Sequence, residues 1–293
     1  MSESAFLARL HARFAVPRAV VVRLAERATG HRVVDLRRVM RGYDNEVYRV
    51  ELTGDLAVYV RIPGPGKNGF VHEAWAMEQA RGAGVPVPEV LLIDTVRGEA
   101  SDADEADERH AMVLAEAPGR QLGTVLASLS TARRRAAMVN VGRVLARLHS
   151  VRTPGVWRPG DDGTWPDPAD LRRGFVADRT AERPQLSAAG LTPEEVDNAI
   201  ALLGASSATP PPDNFVLCHG DVSPEHVFVD AELRVCGLID WGMWHGGSPI
   251  GELAYVAMVH EETDLTAVVE GHTGGSLDEP AFRRPLPFPS RTR

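Results

Sequence analysis

The residues best equipped for chemistry lie close together. His219-Gly220-Asp221 is followed at a distance of five by His226, and Asp240 ends the apolar run Val235-Cys236-Gly237-Leu238-Ile239. Asp221 follows another apolar run, Phe215-Val216-Leu217-Cys218, by only two residues. It is therefore expected at a strand end, where the chain leaves the core with its position still fixed. Val227-Phe228-Val229 and Val235–Ile239, turned by Asp230-Ala231-Glu232, read as a short antiparallel pair. That pair returns Asp240 to the side of His226 and Asp221. Paired carboxylates on fixed backbone suit a hard divalent cation, which prefers oxygen ligands. Two chemistries fit. In phosphoryl transfer, Asp221 positions an acceptor hydroxyl and Asp240 holds magnesium on a nucleotide. In metal-assisted hydrolysis, His219, Asp221, His226 and Asp240 are ligands, with His245 and His260 as the late candidates for more. Unrelated turn residues would not cluster so densely.

The elements that must position this cluster precede it. Residues 4–28 read as two helical pieces broken by Pro17. From Val33 the period changes to two: strands are expected over Val33–Val39, Glu46–Leu52 and Leu56–Ile62, an antiparallel meander with a turn at 41–45. Arg61 interrupts the apolar residues of the third strand, either as an edge residue or as a cation aimed at an anion. A helix over Val71–Arg81 carries Glu73 in its first turn, and Gly82 and Gly84 stop it. Strands are expected next at Val90–Ile93 and His110–Ala117, separated by an acidic, solvated loop at 98–109. Pro118-Gly119 is a domain boundary by pattern, because the chain beyond it is mainly helical. Thr131–His149 is the most regular helix. Residues 152–170 form an irregular excursion with Trp157 and Trp165, and Thr192-Pro193 starts a helix running to about Leu203.

Composition narrows the partners. With 32 Lys and Arg against 40 Asp and Glu, the net charge of −8 supplies no excess positive field for phosphate backbones, which argues against nucleic acid. The acidic balance leans toward a cationic small molecule. Cys218 and Cys236 are the only cysteines and form no CxxC pair, so they read as small buried hydrophobes in a reducing compartment. Arg9, His11 and Arg13 interrupt the N-terminal apolar residues, unlike a signal peptide, and no run is long enough to cross a bilayer. A cytoplasmic protein without membrane contact is expected.

His219-Gly220-Asp221 followed by a strand pair and Ile239-Asp240-Trp241 resembles the aminoglycoside phosphotransferase family. That family is a branch of the protein-kinase-like fold that also holds macrolide phosphotransferases and choline kinases. The resemblance covers roughly Val33 to Ala254. It implies an α+β, two-lobed protein-kinase-like fold: a small antiparallel-sheet nucleotide lobe over 1–117, with 1–30 as a helical lead-in, and a larger, mainly helical catalytic lobe over 118–262. It further implies ATP or GTP as phosphate donor, Mg2+ as cofactor, and a small-molecule hydroxyl, of aminoglycoside or macrolide type, as acceptor, in a monomer or homodimer. Asp221 would be the catalytic residue. His226 and Asp240 would hold the metal. Arg61, fixed by Glu73, would meet the nucleotide phosphates, and backbone groups of Ala115 and Ala117 the purine edge.

Departures from the family pattern set further expectations. His226 stands where Asn is common, as in the macrolide branch, which Arg61-Ile62-Pro63 also resembles. Gly42 is the lone glycine of the nucleotide turn. Ser248 and Glu252 replace the aspartates of a G-D-P-x-x-D segment, which removes support behind the catalytic loop and keeps open a nucleotide-binding pseudokinase. A small-metabolite kinase is a further alternative. Residues 263–293 are expected to be a disordered or truncated tail. Asp161, Asp162, Asp167, Asp170 and Asp178 would suit a cationic acceptor.

Overall fold

The computed structural model describes residues 16–39, 45–64, 69–97, 108–207, 214–259 and 263–275. The first lead-in helix, the turn at Gly42 and most of the acidic loop lie outside these residues. Helix α1 (Arg18–Thr29) buries Val20, Val21, Leu24 and Ala25 and closes on Gly30 in the left-handed conformation. Strands β1 (Val33–Val39), β2 (Asn45–Leu52) and β3 (Leu56–Pro63) form the expected meander. Helix α2 (Val71–Gly82) comes next, then β4 (Val90–Arg97) and β5 (Glu108–Ala115). The sheet order is β1-β2-β3-β5-β4, antiparallel throughout. Placing β5 beside β3 pairs Arg61 with Met112 and sets the chain after Ala115 next to the strand that carries Arg61. One apolar cluster, from Val16 through Val50 and Ile62 to Val113, fills the space between this sheet and α1.

The larger lobe begins with β6 (Arg120–Gln121), α3 (Leu122–Leu126) and the long α4 (Thr131–Leu148), capped by the Ser130 hydroxyl. Helices α5 (Pro168–Ala181), α6 (Arg183–Ala188) and α7 (Pro193–Ser207) come after it. At the start of α7 the Thr192 hydroxyl accepts from the Glu195 N–H (3.3 Å), and the Glu195 carboxylate accepts from the Thr192 N–H (2.8 Å), a capping box. The remaining elements are β7 (Val216–Cys218), β8 (Val227–Val229), β9 (Val235–Leu238), a 3-10 turn at Trp241–Met243, β10 (His245–Gly247), α8 (Pro249–Val259) and α9 (Leu265–Thr273). β7 pairs with β10, and β6, β8 and β9 form a second small sheet. A second, larger apolar cluster joins α2, α4 and the small sheets. Among the described residues no helix is long and apolar enough to cross a membrane.

One expectation is corrected. Residues 263–275, assigned from composition to a disordered tail, contain α9, which packs along α4. The Asp264 side chain accepts from the Ala267 N–H (3.0 Å) to start it, and Ala267, Val268 and Gly271 are buried. The glycines that made this stretch look unstructured are packing residues. A Cβ on Gly271 would sit 2.0 Å from the Val139 carbonyl oxygen, and one on Gly142 would sit 2.0 Å from that of Val268. The two backbones can approach this closely only where side chains are missing. Gly142→Val or Gly271→Val is therefore expected to cost about 1–3 kcal/mol of stability, read as a lower urea midpoint. Gly174→Ala, whose Cβ would meet nothing within 4 Å, should be neutral or slightly stabilising and serves as the control.

Candidate active site

β7 is buried over its whole length, and the chain leaves it at His219, which is fully buried. The His219 Nδ1 accepts from the Asp221 N–H (3.3 Å), and its Nε2 faces the Ile239 carbonyl (2.9 Å), so the partners assign the Nε2–H tautomer. Burial holds its pKa below the ordinary histidine value, and its ring packs edge-on against Trp241 at 4.8 Å. Gly220 adopts a φ of +83°, and a Cβ there would lie 2.1 Å from the Met243 carbonyl oxygen. Only glycine can hold this turn against the segment after Asp240.

The strand pair works as the spacing predicts. The His226 carbonyl accepts from the Ile239 N–H (2.9 Å), which brings Asp240 beside His226. His226 Nδ1–H donates to the Asp221 carbonyl (2.7 Å) and lies 3.5 Å from the Asp221 Oδ2, while Nε2 lies 3.6 Å from the Asp240 Oδ2. One ligand-capable atom from each of Asp221, His226 and Asp240 falls within 4.8 Å of the others. Two carboxylates and a free imidazole nitrogen fit a divalent cation, although imidazole suits magnesium less well than carboxylate does. Asp240 is held at φ 63°, a left-handed conformation that aspartate tolerates better than most residues but that still costs energy.

Arg61 closes the cluster from the small lobe. It is buried, not an edge residue; its Nη1 donates to the Glu73 carboxylate, and its Nη2 lies 3.9 Å from the Asp240 Oδ1. Burial alone would lower its pKa, but Glu73 and Asp240 outweigh that and keep it charged. At the hinge, the Ala115 N–H donates to the Glu89 carbonyl (2.9 Å) and the Glu116 N–H to that of Ala57 (3.3 Å). The Ala115 N–H is therefore committed to the protein.

His219, one of four ligands expected for hydrolysis, is not part of the cluster, because both its ring nitrogens are taken. His245 stacks 5.5 Å from Trp157 with Nδ1 on the Met243 carbonyl (3.1 Å), and His260 lies outside the described residues. Trp165 packs with Trp75 and Trp244 against the core (centroids 6.3 Å apart in each case). Cys236 is half-buried, not buried, with its Sγ 3.1 Å from the Pro118 carbonyl; Cys218 is buried as expected.

The main surprise lies behind the catalytic loop, where support was expected to be lost. Ser248 caps α8 through a bond from the Gly251 N–H (3.1 Å). The Glu252 carboxylate is fully buried, with Oε1 accepting from the Gly220 N–H at 2.7 Å and Oε2 from the His149 Nε2 at 2.6 Å. His149 Nδ1 in turn meets His272 Nε2 of α9 at 2.8 Å. Glutamate thus keeps the carboxylate and reaches the loop with its extra methylene. Burial would raise the Glu252 pKa, but the bond from His149, the nearby imidazoles and the Gly220 amide hold it below the usual range. The signals available in the sequence were the retained acid and the histidine ending α4. Nothing in the sequence marked Arg158, whose Nε donates to the Trp244 carbonyl (2.6 Å) beside this loop.

The model of the phosphotransferase enzyme family matches residues 35–286. Among solved structures, a thermostable mutant of aminoglycoside phosphotransferase APH(4)-Ia, in ternary complex with ADP and hygromycin B, is similar with a TM-score of 0.60. It is 19% identical over 87% of this chain and 80% of that one. Aminoglycoside-3'-phosphotransferase of type VIII gives 0.54 at 22% identity, over 88% of this chain and 91% of that one. Macrolide 2'-phosphotransferase MphH from Brachybacterium faecium gives 0.52 at 20% identity, over 92% and 84%. At such identities the likeness establishes the two-lobed kinase-like fold. No curated protein sequence matches the chain.

The buried Glu252–His149–His272 chain is expected to make the fold acid-sensitive. Glu252, with its folded pKa depressed, contributes stability at neutral pH that is lost as pH falls through the folded value. Burial, and then the neighbouring His149, lower His272 from 6.5 to about 4, so between these values the unfolded chain binds protons that the native state refuses. Stability should therefore fall as pH drops from 6.5 toward 4, and His272→Leu should flatten that part of the profile. Glu252→Gln should cost about 1–3 kcal/mol at neutral pH, and the gap to the parent should narrow on acidification. Urea midpoints across the pH range measure both.

Proposed function

The chain belongs to the phosphotransferase enzyme family, and from that premise we propose that it transfers the γ-phosphoryl group of ATP or GTP to a hydroxyl on a small molecule. The observation that carries this reading is the convergence of Asp221, His226 and Asp240 within 4.8 Å, with Arg61 reaching Asp240 from the other lobe. Aminoglycoside and macrolide antibiotics, the classes named for the solved relatives, are the acceptors to test first, and sugar-ring hydroxyls are the common group. The reading places the enzyme in the cytoplasm, where nucleotide is at hand.

Asp221 orients the acceptor hydroxyl and takes its proton as the acceptor oxygen bonds to the γ-phosphorus and the bond to the β–γ bridging oxygen breaks. Arg61, pinned by Glu73, offsets phosphate charge. The purine edge meets the Ala115 carbonyl and the Ala117 N–H. His226 Nε2 and the Asp240 carboxylate would hold magnesium, which supplies charge neutralisation on the nucleotide phosphates. Most of the rate in such transfer comes from positioning and preorganised charge.

Two rival readings lose their motivation. A pseudokinase was raised by the altered Ser248 and Glu252, yet Glu252 does grip the Gly220 amide. A four-ligand hydrolase needs His219, which is turned into the core. Asp221→Asn should lower kcat by about 10²–10⁴-fold, and Asp240→Asn should abolish transfer, with thermal unfolding little changed in either. The measurement is transfer of labelled γ-phosphate from magnesium ATP and GTP to a panel of aminoglycosides, macrolides and hydroxylated metabolites. Undiminished transfer in both variants would overturn the assignment.

A further inference from the structure

Beside residues 243–244, just after Asp240, stands a cation that phosphate transfer through Asp221, Asp240 and Arg61 does not use. The Arg158 Nε donates to the Trp244 carbonyl (2.6 Å), its Nη2 lies 4.0 Å from the Met243 Sδ, and its guanidinium carbon sits 5.6 Å from the Trp157 ring centroid. Among the described residues no carboxylate lies within ion-pair distance of it. Burial lowers its pKa, and the charge of Glu73, itself bound to Arg61, only partly offsets this. A half-buried cation whose neighbours are a carbonyl, a thioether and an indole is under-compensated.

Two contacts link it to Gly220, the residue before Asp221. The Met243 carbonyl presses on Gly220, and Met243 also touches Arg158. His245, whose Nδ1 would be 3.1 Å from a Cβ on Gly220, stacks at 5.5 Å on Trp157. Trp157 is itself held by paired backbone bonds to Gly246 (2.7 and 2.6 Å), with φ at 64° and 47% of its surface exposed. Left-handed backbone at a bulky residue costs about 1–3 kcal/mol and clusters at ligand sites. A fixed, exposed indole and a guanidinium therefore sit one side chain away from the catalytic loop.

Three of the five acidic residues that would have suited a polycation have partners. Asp162 accepts from the Thr164 N–H (2.9 Å), Asp167 caps α5 through Ala169 and Asp170 (2.8 and 3.0 Å), and Asp170 pairs with Arg173. We propose that Arg158, backed by Trp157, binds an oxyanion group, carboxylate or phosphate, on the hydroxyl-bearing acceptor, so that the site selects acidic acceptors over cationic ones. This rests on the reading of the cleft as a phosphotransfer site with Asp221 facing the acceptor. A guanidinium recognises such groups end-on through paired N–H donors.

The test is binding, read by tryptophan fluorescence and calorimetry on the full chain at fixed ionic strength. Matched hexoses serve as probes: glucose, glucosamine, glucuronate and glucose 6-phosphate. The expected result is at least about tenfold tighter binding of one or both acidic sugars than of glucose or glucosamine, a difference of about 1.4 kcal/mol. The two acidic probes separate a carboxylate site from a phosphate site. Arg158→Gln should erase the preference and Arg158→Lys should keep part of it. Tightest binding of glucosamine, no binding of either acidic sugar by the parent chain, or a preference that survives in a folded Arg158→Gln would overturn the proposal. None of these readouts needs Asp221 or Asp240 to turn over, so loss of the phosphotransfer reading and loss of this one are separately visible.

Discussion

The Gly220 amide has to be satisfied away from water, and the shape of the chain near the candidate catalytic residue depends on how that is done. Gly220 lies flat against the Met243 carbonyl in a conformation open to glycine alone, so its N–H can point only inward. Leaving it unpaired would cost about 1–3 kcal/mol and free the loop to choose another shape. The buried Glu252 carboxylate accepts that bond, His149 fixes the carboxylate, and His272 meets His149. The residue after Gly220 is Asp221. Its position is thus referred, through one chain of hydrogen bonds, to α8, α4 and α9 together, and a carboxylate placed by three helices is held better than one placed by a loop.

The small lobe is referenced to the same region through α2. Glu73 fixes Arg61, and two residues along the helix Trp75 lies 5.4 Å from Trp244, which comes just after the 3-10 turn beyond Asp240. Trp165 completes the aromatic cluster from the excursion before α5. Aromatic contacts of this kind contribute about 0.5–1.5 kcal/mol each beyond the area they bury. The distance between Arg61 and Asp240 is therefore set by packing between α2 and the segment 241–244 as much as by their mutual attraction. Residues 152–165 take part in both, since Trp165 packs on α2 while Trp157 and Arg158 pack on the segment after Asp240.

The features legible in the sequence were local. Period-two alternation marked β1 to β3, three-and-four spacing marked α4, and a compact motif marked Asp221, His226 and Asp240, because each signal lies within a few tens of residues. The features that escaped depend on contacts between distant segments. The Glu252–His149 and His149–His272 bonds join residues 103 and 123 positions apart. No spacing announces such a pair, so the aspartate-to-glutamate change read as a loss when it is a substitution with longer reach. Helix α9 escaped for the opposite reason. Gly271 was weighed by its own propensity, when its value lies in letting α9 approach the Val139 carbonyl. Arg158 carried no local signal; its place beside Trp244 and Trp157, with no carboxylate among the described residues within ion-pair distance, appears only on folding.

Charge is where global and local readings diverge. The net charge of −8 leaned toward a cationic acceptor, but a summed charge says little about one local site. At the site Glu73 balances Arg61, and Asp240 with His226 would hold one divalent ion. The acids at 162, 167 and 170 are committed to a turn, a helix cap and an ion pair. Arg158 is a positive group beside a fixed indole next to the segment after Asp240. Local compensation, and not composition, decides which charge an incoming molecule meets.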